Sequence, residues 1–160
     1  MKIVILCVGR LKDDAERAIV QRYVQRVVQI GPPLGLTGIS TMELPESRAR
    51  TAPERKAAEA AELRKKIPAG ASHAVLDERG KCVSSAEFAS WLGAMRDGGQ
   101  RELCLVIGGP DGLDPGFAQS ASLNLSFGRM TLPHGLVRAV LVEQIYRAAT
   151  ILAGHPYHRE

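Results

Sequence analysis

LCLVIGGPDG, residues 103–112, is an unbroken apolar run that ends in three glycines and a proline. A short run without polar alternation reads as a strand buried on both faces, as in parallel sheets covered by helices. Glycine at 108, 109 and 112 permits positive φ and lets a ligand approach the backbone closely. A second stretch, up to Leu132, runs into Pro133, His134 and Gly135 in the same way. Paired loops at the carboxyl ends of neighbouring strands are where open α/β proteins hold small molecules.

Working outward, strand and helix signals alternate, which predicts a single α/β domain over residues 1–160 with a mostly parallel sheet flanked by helices. Ile3–Val8 is another continuous apolar run, read as a buried strand. Ala15, Ile19, Tyr23, Val27 and Ile30 recur at helical spacing, so Asp14–Ile30 is an amphipathic helix ended by Gly31, Pro32 and Pro33. Ile39–Leu44 reads as a strand. The alanine-rich stretch Pro53–Ile67 reads as a helix, and the residues before it, with Arg48 and Arg50, as a loose segment. Ala74–Leu76 is a short strand leading to a turn at Asp77, Glu78, Arg79 and Gly80. Ser84 and Glu87 form a capping box for a helix whose apolar face holds Phe88, Trp91, Leu92 and Met95. Pro115–Ala121 is a short helix, and the last helix, entered through Pro133, carries Val137, Leu141, Ile145, Ala148 and Leu152 on one face. Val140, Val142 and Ala149 widen that face, which implies a central position or a second subunit.

Familiar glycine motifs are excluded one by one. Gly80 and Lys81 resemble the end of a phosphate-binding P-loop, but Cys82 replaces the required Ser or Thr and Val75 the first glycine. The spacing of Gly108, Gly109 and Gly112 misses the dinucleotide fingerprint by one position. There is no G-x-S-x-G elbow, and His155 and His158 lack a third clustered ligand for zinc. What remains is a ligand held by backbone groups, an adenosine-like molecule without a polyphosphate.

The 160 residues carry a net charge of +4, distributed unevenly. Residues 1–70 hold 13 basic and 8 acidic side chains against 8 and 9 in residues 71–160. A basic half beside a neutral one suggests a polyanion-facing surface attached to a site of different purpose. Cys7, Cys82 and Cys104 have no metal-type spacing and read as reduced, mostly buried thiols of a cytoplasmic protein. The apolar run Ile3–Val8 is too short to span a bilayer, and no secretory pattern follows it.

Motifs along almost the whole chain resemble one family. They are MKIVILCVGRLK (1–12), LDERGK (76–81), SSAEFA (84–89), VIGGPDGL (106–113), LSFGRMTLPHGLVRAVL (125–141), EQIYR (143–147) and HPYHRE (155–160). In order and interval they are similar to the bacterial ribosomal RNA large subunit methyltransferase H family, of the SPOUT class. The resemblance implies a C-terminal segment threaded as a trefoil knot, an exception to the rule that chains do not thread their own loops. It also implies S-adenosylmethionine as cofactor, a homodimer, and methylation of N3 of a pseudouridine in helix 69 of 23S rRNA within the assembled ribosome. Carried onto this sequence, the family's cofactor contacts fall at Leu76, Gly108 and the run Phe127, Gly128, Arg129, Met130, Thr131 and Leu132. Arg22 and Arg26 would then face rRNA phosphates.

A sulfonium methyl group is already activated, so its transfer needs alignment and no metal. An imide nitrogen such as N3 is protonated at neutral pH, so a base or a stabilising cation helps. Candidates are His134 at the loop, Arg138 and Arg147 on the last helix, and Tyr157, His158, Arg159 and Glu160 in the tail, with Tyr157 available to stack on a base. Arg147 could instead pair with Glu143 one turn earlier. Two other readings stay open: a SPOUT-class enzyme acting on another RNA such as tRNA, and a ribosome-associated binding protein without chemistry.

Overall fold

The protein is described here by a computed structural model covering residues 1–159, so Glu160 of the expected tail lies outside the described residues. In chain order the elements are β1 (Lys2–Val8), α1 (Asp14–Ile30), β2 (Gly38–Leu44), α2 (Ala52–Lys66), β3 (Ser72–Cys82), α3 (Ser85–Asp97), β4 (Glu102–Ile107), α4 (Pro115–Gln119), β5 (Leu123–Ser126) and α5 (His134–Leu152). The strands form one sheet in the order β2-β1-β4-β3-β5, and every pair is parallel.

Burial on both faces explains the unbroken apolar runs. Ile3, Ile5 and Cys7 of β1, with Leu103, Leu105 and Ile107 of β4, pack against α1, α3 and α5 on one face. Val4, Leu6 and Val8, with Cys104 and Val106, pack against α2 and α4 on the other, where Leu63 and Phe117 are fully buried. Each large side chain buried in this way contributes roughly 1.5–3 kcal/mol relative to exposure. Helix starts are marked locally. Asp13 accepts from the N–H groups of Ala15 and Glu16, and Thr51 with Glu54 and Ser84 with Glu87 close reciprocal capping boxes. Among the described residues, no helix is long and apolar enough to cross a membrane.

Three local expectations are corrected. The strand near Ala74–Leu76 extends over eleven residues, because the pairing with β5 shifts register between Leu76 and Lys81 and then resumes. Gly80 makes that return possible: a Cβ there would sit 2.6 Å from Asn124 Oδ1 and 2.7 Å from the Leu125 carbonyl carbon. The strand expected to run up to Leu132 stops at Ser126. The buried Ser126 hydroxyl accepts from Gly128 N–H at 3.1 Å and stands 3.2 Å from the Glu78 carbonyl, and Gly128 takes φ +131°, so the chain leaves the sheet. Residues 46–50, expected to be loose, are tied down: Glu59 Oε1 accepts from Ser47 N–H, and Arg55 donates to the carbonyls of Ala49 and Arg50. Of the free thiols, Cys7 and Cys104 are buried but Cys82 is exposed.

Candidate functional site

Three chain segments meet at the carboxyl ends of β3, β4 and β5 and enclose a cavity of about 240 Å³. One wall is Leu76–Arg79, the second Ile107–Leu113, and the third the chain after β5 from Leu125 to Leu132, with His134 and Val137 of α5 closing it. The volume lies near the lower end of small-molecule sites, roughly 300–1,000 Å³. Apolar side chains and backbone groups line it together, which suits a ligand with a flat ring and a few polar edges.

The second wall is a tight turn. Gly112 N–H donates to the Gly109 carbonyl at 2.9 Å, Pro110 and Asp111 occupy the two central positions, and Gly112 takes φ +85°. Gly108 has no room for a side chain, since a Cβ would meet Leu113 Cγ at 2.8 Å. Asp111 leaves the turn towards α2 and accepts from Arg55 Nε at 2.6 Å and Nη2 at 3.1 Å. Those hydrogen bonds hold the Asp111 carboxyl below its ordinary range. In the first wall Asp77 is held low in the same way, by Arg79.

Most of the expected cofactor residues therefore gather here: Leu76, Gly108, Phe127, Gly128, Met130, Thr131 and Leu132 line the cavity, and Arg129 is exposed beside it. Met130 is 82% exposed at the rim. His134 lines the cavity too, at the first turn of α5. Arg138, one turn further on, is 5% exposed and faces elsewhere: it pairs with Glu43 at 2.6 Å and donates to the Gly9 carbonyl at 2.7 Å. Glu43 in turn accepts from Leu11 N–H, so the pair fixes the loop between β1 and α1.

The tail residues lie at the opposite end of α5. From there they fold back along the helix as far as Glu143, roughly 14 Å from His134, and within one chain Tyr157, His158 and Arg159 do not line the cavity. The Tyr157 hydroxyl lies 3.2 Å from that of Tyr23 and donates to Glu143 Oε1, and its ring meets Tyr146 edge-on with centroids 4.8 Å apart. Burial, then the bonds to Tyr23 and Glu143, raise its pKa, so the phenol stays protonated at neutral pH and is no base in this position. Arg147 pairs with Glu143 at 2.6 Å and stacks over the Tyr157 ring at 4.9 Å, and its Nη1 stands 3.5 Å from His158 Nδ1. Arg26 sits over Tyr23 and Tyr146.

Sequence reading missed Ser126, Arg55 and Glu59. The serine's signal was its place before Phe127 and Gly128. The other two are ordinary-looking charges on a helix, and their partners lie far away in sequence.

Comparison with known proteins agrees with this architecture. The family described as predicted SPOUT methyltransferase matches residues 1–158. A protein from Brucella anthropi named ribosomal RNA large subunit methyltransferase H is 50% identical over 159 residues, covering 99% of both chains. One of the same name from Xanthobacter autotrophicus is 52% identical over 159 residues, with the same coverage. A crystal structure of a methylase family protein from Neisseria gonorrhoeae superposes with a TM-score of 0.52 at 12% identity, covering 90% of this chain and 81% of that one, and speaks to the fold alone.

Proposed function

The chain belongs to the SPOUT methyltransferase family, and from that premise we propose that it transfers a methyl group from S-adenosylmethionine to N3 of a pseudouridine in helix 69 of 23S rRNA, on the assembled ribosome and in the cytoplasm. The observation that carries this reading is the cavity at the carboxyl ends of β3, β4 and β5, together with relatives named for large-subunit rRNA methylation across 99% of their length.

The cavity suits the cofactor. Leu76, Ile107, Leu125 and Phe127 offer apolar surface for an adenine ring, and Gly108 lets the backbone approach. When bound, the cofactor supplies a methyl group already activated for displacement. The gathering of the walls from three strand ends, followed by the return of α5 to Gly9 beside β1, supports a C-terminal segment threaded as a trefoil knot within a single domain.

The remaining chemistry falls to side chains at the rim. N3 must lose its proton, and a positioned base contributes about 10²- to 10⁴-fold. His134 lines the cavity, which supports it as the group that takes up that proton. Tyr157, His158 and Arg159 do not line the cavity of their own chain, where Tyr157 is fastened to Glu143 roughly 14 Å along α5 from His134, so they serve a cavity only in a second copy. This supports a homodimer in which each tail completes its partner's site, with exposed Met130 of the cavity rim and exposed Leu136 of the first turn of α5 inside the contact. Arg138 steadies the loop from Gly9 to Leu11, whose neighbours Arg10 and Lys12 are exposed for rRNA phosphates.

Labelled methyl transfer tests the reading: purified protein, labelled cofactor and ribosomes from a strain lacking the native enzyme, followed by mapping of the modified nucleotide. Label at N3 of the helix 69 pseudouridine is the expected result. Transfer to tRNA only would reassign the substrate, and no transfer to any RNA would remove the activity.

A further inference from the structure

One helix face joins the cavity to the basic segment that precedes α2. Arg55 and Glu59 lie one turn apart on α2. The Arg55 guanidinium is a three-way clamp: Nε and Nη2 grip the Asp111 carboxylate in the cavity wall, while Nη1 donates to the carbonyls of Ala49 at 3.1 Å and Arg50 at 3.3 Å. Glu59 repeats the link from the next turn. Its carboxylate is 7% exposed and accepts from Ser47 N–H at 2.9 Å, and it stands behind Gly109 so closely that a Cβ there would lie 2.8 Å from Oε2. A carboxylate so deeply placed needs partners, and the Ser47 amide and the charge of Arg55 supply them. The segment held in this way presents Arg48 and Arg50 to solvent.

A planar fork suits this task because it binds a carboxylate with two bonds and still has donors left for carbonyls, whereas an ammonium has no fixed geometry. The consequence is mechanical. A displacement of the chain at residues 47–50 would bear on Asp111 through Arg55 and on Gly109 through Glu59, and a change in the Gly109–Gly112 turn would bear back on it.

We propose that Arg55 is a positioning residue that couples the two ligands of the enzyme: rRNA phosphates on Arg48 and Arg50 hold the segment that holds Arg55, and Arg55 holds the Gly109–Gly112 turn in its cofactor-binding shape. The inference rests on the cofactor and rRNA reading given above. Coupling between two binding sites is reciprocal, so ribosomes tighten cofactor binding by the factor with which cofactor tightens ribosome binding.

The test is equilibrium binding of S-adenosylhomocysteine, which cannot react, with and without ribosomes carrying unmodified 23S rRNA. In the wild-type chain, ribosomes should tighten binding roughly fivefold or more. Arg55→Ala should weaken binding in the absence of ribosomes and bring the ribosome effect close to none. Asp111→Asn, a near-isosteric change on an exposed turn, should do the same, and the double variant should lose no more than either single change, since all three cut one link. A mere loss of stability would leave the ratio of the two affinities unchanged. Wild-type binding that ribosomes do not alter, or a ratio preserved in both variants, overturns the inference alone. Absence of any S-adenosylhomocysteine binding by the wild-type chain overturns the cofactor reading and this inference with it.

Discussion

Tyr157 donates to Glu143 Oε1 across 3.1 Å, and the same carboxylate oxygen takes two bonds from Arg147, at 3.0 and 2.6 Å. The end of the chain is thereby fastened to the middle of α5, outside the cavity of its own subunit. Deleting residues 157–160 should abolish methyl transfer while leaving S-adenosylmethionine affinity nearly unchanged by calorimetry. Mixing that deletion with a chain whose cavity is disabled should restore activity that neither has alone. Failure to recover activity on mixing would mean that the tail serves its own subunit.

Gly108→Ala is the natural cavity-disabling change. The added methyl meets Leu113 Cγ at 2.8 Å, Leu113 Cδ2 at 2.9 Å and the Gly112 carbonyl carbon at 3.1 Å, so the turn must move. Overpacking of this kind costs about 1–3 kcal/mol. If half of that falls on the bound state, cofactor Kd rises roughly two- to thirteenfold. Calorimetry with S-adenosylmethionine reads it directly, and an unchanged Kd would remove Gly108 from the cofactor wall.

The three cysteines should divide two to one under alkylation. Burial pushes the Cys7 thiol up to about 11 and the Cys104 thiol up to about 11, while Cys82 is exposed. The thiolate is the reactive form. Iodoacetamide at neutral pH should therefore label one residue in the folded protein, Cys82, and all three in denaturant. Peptide mapping that finds Cys7 labelled under native conditions would contradict the packing of β1 against α1 and α5.

His73, at the start of β3, lies 5.0 Å from the Phe117 ring by centroids and 3.3 Å from Ser120 Oγ. Burial, with Arg64 nearby adding to it, lowers its pKa below the ordinary 6.5. The unfolded chain then binds the proton more readily than the folded one. The stability that His73 contributes is complete above pH 6.5 and is lost as pH falls through the lower folded value. Thermal midpoints should drop from pH 7 towards pH 5, and His73→Gln should flatten that slope. An equal slope in the variant would assign the acid sensitivity elsewhere.

How much of this could be read from the chain depends on how local the cause is. The helices at Asp14–Ile30 and Ser85–Asp97 were legible because their caps, Asp13 and Ser84, stand beside the apolar period they start. The strand at residues 103–107 was legible because burial on both faces removes polar alternation. The extension of β3 was not, because it depends on Gly80 meeting Asn124, 44 positions along the chain. The cavity walls were found through glycine and the family motifs. The contacts of Arg138 with Glu43 and of Arg55 with Asp111 cross 95 and 56 positions, and nothing local marks either arginine as different from its exposed neighbours.

The sheet order has a kinetic cost. β1 is an interior strand, between β2 and β4, and its second partner begins only at Glu102. Closing so long a loop is entropically unfavourable and makes such topologies slow to fold. During synthesis at about 5–20 residues per second, the Ile3–Val8 segment waits about 5 to 20 s with one apolar edge open before β4 exists to cover it. Chaperones that shield bare strands should therefore raise the yield of folded protein, and mutations that slow elongation between residues 10 and 100 should lower it without touching the stability of the finished protein.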